Sequence, residues 1–188
     1  MKAYDGFKSE AQGNKFEQLP AGPYEAKILN VKIDGQEPDQ TLVLRLDIIA
    51  GEYEGYFTKR YKHDQENASQ YEARYKGDFK LRIPNDANTN ARYPDSDKRR
   101  FNDAIWRIEK SNEGFHWDWD EKKLIGKVIG INMQEDEYNG NKFTRIGRLE
   151  VAQDVRSGIV GVMPPRKRQE QTAEPAGFTA VENIEVPF

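Results

Sequence analysis

The 188-residue chain has no cysteine, two histidines and three methionines. Without cysteine there is no disulfide framework and no thiolate nucleophile, which fits a reducing compartment. A zinc site would have to take most of its ligands from carboxylates. His63 and His116 lie far apart in sequence, and a lone histidine is more often a surface or packed residue than a ligand. No glycine-rich phosphate loop and no nucleophile elbow occurs. These absences argue against an enzyme, and no cofactor or metal is expected. No apolar run reaches membrane-spanning length, and Met1 to Gly6 lacks the apolar core of a signal peptide. The chain is therefore expected to be soluble, to stay in the cytoplasm and to make no membrane contact. Charge of one sign is also missing: 29 basic against 32 acidic residues give a net charge of −3. A histone-like coating protein is excluded, and any site for nucleic acid must gather its cations locally.

What is present reads as one mainly β domain, residues 1–162, followed by a tail, residues 163–188. Gly22 to Ile33 is rich in β-branched and aromatic residues and alternates as a strand. Asp34 to Asp39, with Gly35 and Pro38, supplies a turn. In the next strand Leu42, Leu44, Leu46 and Ile48 share one face, while Thr41, Val43, Arg45, Asp47 and Ile49 share the other. Gly51 to Gly55 is expected to be a hairpin connection into a third strand, Tyr56 to Lys62, which interleaves rings with bases. From His63 to Pro94 the pattern is weak: Tyr71 and Tyr75 stand at helical spacing, and Phe79 to Ile83 at strand spacing.

Pro94 to Asp97 opens the one main helix, whose apolar stripe is Phe101, Ala104, Ile105 and Ile108 and which Asn112 and Gly114 stop. Asp118 to Glu121 begins a further helical turn, with its acids at the positive end of the dipole. Gly126 to Gln134 and Lys142 to Val151 form a closing hairpin around Asn139-Gly140, a strong turn signal. Three strands, an insertion carrying a helix, then two strands is the arrangement of a five-stranded oligonucleotide-binding (OB) barrel. A generic α+β sandwich is the alternative, since strand count does not fix closure.

Single-stranded nucleic acid is held by stacking bases on rings beside a basic track for the phosphates. The expected third strand offers both, in Phe57, Lys59, Arg60, Tyr61 and Lys62. Arg45 on the neighbouring strand, and Tyr138, Lys142 and Arg145 on the last hairpin, extend the candidate site. Phe143 and Arg148 lie on the same hairpin. An aromatic side chain in a small barrel is more often core than platform. The joint pattern carries the expectation.

From Met163 to Gly177 there is almost no apolar periodicity, as in a disordered tether. The alternative is that Phe178, Val181, Ile184 and Val186 return as an edge strand. The chain closes with Ile184, Glu185, Val186, Pro187 and Phe188, which present an apolar pair, a ring and a terminal carboxylate. Pro187 limits the conformations lost on docking. This end reads as a partner-docking motif.

Leu19-Pro20-Ala21-Gly22-Pro23-Tyr24, Leu124-Ile125-Gly126-Lys127, Glu137-Tyr138-Asn139-Gly140-Asn141-Lys142 and the Ile184-to-Phe188 end together resemble bacteriophage-encoded single-stranded DNA-binding proteins. The likeness spans most of the chain and is weakest from His63 to Pro94. The end is similar to the acidic tip of bacterial single-stranded DNA-binding proteins, which finishes in Ile-Pro-Phe and recruits replication and repair enzymes. Here Val186 takes the place of the Ile, and Glu182 and Glu185 stand for a denser acidic run. The resemblance implies an OB barrel that coats single-stranded DNA in the cytoplasm of a bacterial host. It also implies a tail that recruits replication or recombination proteins. Such barrels occur as monomers, dimers and tetramers, so self-association is left open. Two alternatives stand beside it. One is a phage recombination accessory or inhibitor whose body holds a protein. The other is a metal-dependent nuclease built on Asp64, Glu66 or Asp78.

Overall fold

The strand signals from Gly22 to Ile33 and from Thr41 to Ile49 become neighbouring strands of a single antiparallel sheet. The computed structural model describes residues 16–67, 72–85, 87, 94–138 and 140–166. Its elements are β1 (Gly22–Asp34), β2 (Thr41–Ile48), α1 (Tyr56–Asn67), β3 (Asp78–Arg82), α2 (Pro94–Ser111), a 3-10 turn (Glu121–Leu124), β4 (Val128–Tyr138), β5 (Asn141–Glu150) and α3 (Ala152–Arg156). The sheet is open, in the order β3-β2-β1-β4-β5, with β3 and β5 at its edges.

β1 joins the two halves. Its first part, Gly22 to Lys27, pairs with β4, and its later part, Ala26 to Asp34, pairs with β2. Within the β2-paired part, just past the end of the pairing with β4, the register shifts around Leu29. A bulge of this kind bends the strand and increases its twist, which lets one strand serve two directions of sheet.

The expected core face of β2 is buried: Leu42, Leu44, Leu46 and Ile48 are each no more than 1% exposed. Phe79 and Leu81 of β3, Ile129, Ile131 and Met133 of β4, and Ile146 and Leu149 of β5 join them. From α2, Phe101, Ala104 and Ile108 enter the same cluster, as the helical stripe requires. Helix α2 ends where expected, with the Asn112 amide donating to the Ile108 and Val128 carbonyls.

Tyr56 to Lys62 is helix, not strand, and it forms the first half of α1. Gly51 to Gly55 accordingly is no hairpin but the turn into that helix, with Gly51 at φ +81° and Gly55 at φ +68°. The cause lies on β2. The Asp47 carboxylate accepts from the backbone N–H of Phe57 at 3.0 Å and of Thr58 at 3.1 Å, and also from the Thr58 hydroxyl. These are donors that the first turn of a helix leaves without intrahelical partners, so a carboxylate from a neighbouring strand caps α1. The third strand is instead Asp78–Arg82, and the fold has a second substantial helix where one was expected.

After α3 the chain runs along the face of β4 opposite Ile131 and Met133. The Gly161 carbonyl accepts from the Asn132 amide at 2.9 Å, and the Pro164 carbonyl from the Gln134 amide at 2.8 Å. The Arg166 N–H then donates to the Glu135 carbonyl at 2.9 Å. Met163 to Arg166 thus lie against β4, past the expected boundary at Val162. The docking motif Ile184 to Phe188 lies outside the described residues. Among the described residues no helix is long and apolar enough to cross a membrane.

Candidate nucleic-acid interface

Cross-strand partners point to the same side of a sheet. The register places Lys32, Val43 and Lys80 in one row across β1, β2 and β3, Asn30, Arg45 and Asp78 in the next, and Asp34, Thr41 and Arg82 in a third. This is the face opposite the buried leucines of β2, and it carries Lys32, Arg45, Lys80 and Arg82.

Arg45 occupies the middle of it. Its Nε donates to Asp78 Oδ1 at 2.9 Å and its Nη2 to Asp78 Oδ2 at 3.1 Å. The guanidinium lies 4.6 Å from the centroid of the Tyr75 ring, within cation–π range. The hydrogen bond to Asp78 raises the Arg45 pKa further, so this charge is fixed. Tyr75 donates its hydroxyl to the Leu46 carbonyl at 3.0 Å. Burial pushes the Tyr75 phenol up to about 12, which keeps the ring neutral. Tyr61, from α1, meets Tyr75 edge to face with centroids 5.8 Å apart.

These groups line an open cleft of about 500 Å³, together with Glu72, Ala73, Arg74, Lys76, Asp78 and Lys80. A smaller groove of about 250 Å³ continues from it past Asn30, Val31, Lys32 and Val43, sharing Arg45 and Asp78. Along this path Lys32, Arg45, Arg74, Lys76 and Lys80 face two carboxylates, Glu72 and Asp78. Asp78 is taken up by Arg45, whereas Lys32, Arg74, Lys76 and Lys80 form no ion pair among the described residues. Chemically this offers ring faces and edges for bases and unpaired cations for phosphates.

Of the sequence-predicted residues, Arg45 and Tyr61 meet here. Phe57 does not: it is 2% exposed and belongs to the core, packed between Tyr56 and Tyr75. Helical geometry separates the others, because residues one or two apart point in different directions on a helix whereas on a strand alternate ones align. Lys59 turns away to a second cleft, with its ammonium on the Glu54 carbonyl at 2.7 Å. That cleft, about 360 Å³, is lined by Phe16, Glu17, Glu52, Tyr53, Glu54, Tyr56 and Lys59. Arg60 reaches the Tyr56 hydroxyl at 3.3 Å and Asp64 at 3.8 Å. Lys62 is exposed on α1 and lines neither cleft.

The hairpin residues lie on β4 and β5, and none of them lines the cleft around Arg45. Tyr138 is 58% exposed and Lys142 pairs across the strands with Glu137. Arg145 lies 3.7 Å from the buried Asp136, which Arg166 also approaches at 3.7 Å. Arg148 is structural: it grips Glu150 through Nε at 2.8 Å and Nη2 at 2.6 Å, and Arg107 of α2 holds the other carboxylate oxygen at 2.5 Å.

Tyr75, Arg74, Lys76, Lys80 and Lys32 were not among the expected site residues. The signal for Lys80 was available in Phe79-Lys80-Leu81, where buried neighbours force the lysine outward. Of the carboxylates considered for a nuclease, Asp78 is engaged by Arg45 and Asp64 lies by Arg60, while Glu66 is exposed at the end of α1. No protein-family model matches the chain, and comparison with curated proteins returns no match.

Proposed function

We propose that this protein binds single-stranded DNA along the outer face of β1, β2 and β3, without strong sequence preference. In this reading bases stack on Tyr61 and Tyr75 while Lys32, Arg74, Lys76 and Lys80 neutralise phosphates. The observation that carries it is the cleft around Arg45, where two tyrosines and unpaired cations adjoin on one sheet face.

The strand order supports it as well. β3-β2-β1-β4-β5 is the order of an OB barrel opened between its third and fifth strands, and α2 falls between β3 and β4. Barrels of that class bind oligonucleotides on the face of strands 2 and 3. The similarity to phage single-stranded DNA-binding proteins adds the rest of the proposal. The protein coats DNA during phage replication or recombination inside a bacterial host. Its end, Ile184 to Phe188, recruits replication or recombination proteins.

The test is a titration with oligothymidylate, followed by tryptophan and tyrosine fluorescence. Binding at low salt that weakens as salt rises is expected, with single strands preferred over duplex. No response at low salt would refute the proposal. For the tail, removing Phe188 is expected to abolish capture of partner proteins and to leave DNA affinity intact or improved. A competing reading, in which the body holds a protein, draws support from the second cleft, where Glu17, Glu52 and Glu54 surround Phe16, Tyr53 and Tyr56 and would suit a basic peptide. It predicts oligothymidylate binding no tighter than that of an unrelated acidic protein.

A further inference from the structure

Trp119 has φ +69°, the one positive φ outside glycine among the described residues. Glycine and asparagine take this conformation readily, but a bulky side chain does not. The indole gains little burial in return, since Trp119 is 67% exposed. Both features run against what folding alone favours, and strain of this kind persists only where its surroundings impose it.

The surroundings here are specific. Trp117 is anchored in the core cluster, and its Nε1 donates to the Asp120 carbonyl at 2.9 Å. Asp120 then caps the 3-10 turn by accepting from the Lys122 N–H at 3.0 Å. Trp119 is held between these two fixed points. One face of its indole lies nearly parallel to the Phe101 ring, at an interplanar angle of 16° with centroids 5.9 Å apart. Trp117 meets it at 4.9 Å. A rigid indole braced by two rings and otherwise exposed is a stacking surface.

Its place relative to the cleft follows from α2. Arg100, next to Phe101, holds its guanidinium 5.4 Å from the centroid of Phe79. Phe79 directly precedes Lys80 on β3, which is an edge strand. Phe79 faces the core side of β3 and Lys80 the cleft side, so Arg100 stands on the opposite side of that edge strand from Lys80, one residue before Phe101 on α2.

We propose that Trp119 is a base-stacking residue, receiving a nucleotide that leaves the cleft over the β3 edge past Lys80 and Arg100. This rests on the reading that the cleft binds single-stranded DNA. It adds a second platform to that site, so it matters for strands long enough to pass the edge.

The test uses the full chain and two oligothymidylates, about six and about twenty nucleotides long, within and beyond the span of one such domain. Trp119→Gly, which suits the positive φ, is expected to bind the long strand at least about fivefold more weakly, with a smaller loss on the short one. Trp119→Phe keeps a ring, so it should bind the long strand within about twofold of wild type yet lose most of the fluorescence quenching that DNA produces. Trp106→Phe, on the exposed side of α2, should lose neither. Long-strand affinity equal to wild type in Trp119→Gly, or undiminished quenching in Trp119→Phe, overturns the proposal. So does a Trp119→Gly variant that binds both strands normally but fails to capture a partner protein, which would make Trp119 a protein contact. If wild type binds neither strand, the reading of the cleft fails first and this proposal falls with it. If it binds and only the Trp119 results are negative, the cleft stands alone.

Discussion

Asp47 sets the course of the chain after β2. It is 4% exposed, yet its carboxylate is satisfied by the N–H groups of Ile48, Phe57 and Thr58 and by the Thr58 hydroxyl. Removing it leaves two helix N–H groups without partners in a buried setting, each costing about 1–3 kcal/mol. Asp47→Ala is therefore expected to lower stability by roughly 2–4 kcal/mol in urea denaturation; a loss under about 0.5 kcal/mol would show that α1 does not depend on this cap. Tyr75 makes a different prediction, in pH. An ordinary tyrosine ionises near 10, and burial holds Tyr75 up to about 12. The folded state thus keeps a proton that the unfolded chain releases. The stability this contributes is intact below pH 10 and is lost as pH rises through 12. Melting temperature should fall over that window, and Tyr75→Phe should fall less steeply while starting lower at neutral pH, because it lacks the hydrogen bond to Leu46. Parallel curves for the two proteins would contradict the assignment.

At the scale of elements, the passage from α1 into β3 depends on Gly77. A Cβ there would sit 2.4 Å from the Leu46 carbonyl oxygen and 2.8 Å from the Phe57 ring. Neither can give way easily, since the first is sheet backbone and the second is core. Gly77→Ala is expected to cost roughly 1–3 kcal/mol, as overpacking does. It should also weaken oligothymidylate binding, because Tyr75 and Lys76 lie just before the displaced residue. Unchanged stability would mean that β3 can shift away from β2. The same region shows what sequence pattern can and cannot convey. The leucine alternation of β2, the stripe of α2 and the pairing of β4 with β5 were legible, because each rests on a local pattern. Tyr56 to Lys62 was not: Phe57 and Tyr61 suit one face of a helix as well as one face of a strand, and the choice is made by Asp47, which lies outside the segment, on the preceding strand. The site was legible to the same extent. Arg45 and Tyr61 were visible, whereas Asp78, Lys80 and Tyr75 join Arg45 in the cleft only because β3 pairs with β2, bringing together Arg45 and Asp78, 33 residues apart, which no local period encodes.

For the whole molecule, the net charge of −3 opposes a polyanion at long range, whereas Lys32, Arg74, Lys76 and Lys80 attract it within one trough. The two act over different distances. At physiological salt the Debye length is about 8 Å, so the repulsion from distant acids is screened while contacts in the trough persist. Affinity should therefore be governed by the number of phosphates the trough neutralises. For single strands each neutralised phosphate contributes about −0.7 to the slope of log affinity against log salt. If all four cations engage, the slope is about −3, and Lys80→Ala should make it shallower by about 0.7 while weakening all sequences alike. Lys59→Ala, on the other cleft, should leave the slope where it was. Measuring Kd for oligothymidylate at several salt concentrations decides it: equal slopes for wild type and Lys80→Ala, or a change in Lys59→Ala of the size expected for Lys80→Ala, would place the DNA somewhere other than the outer face of β1, β2 and β3.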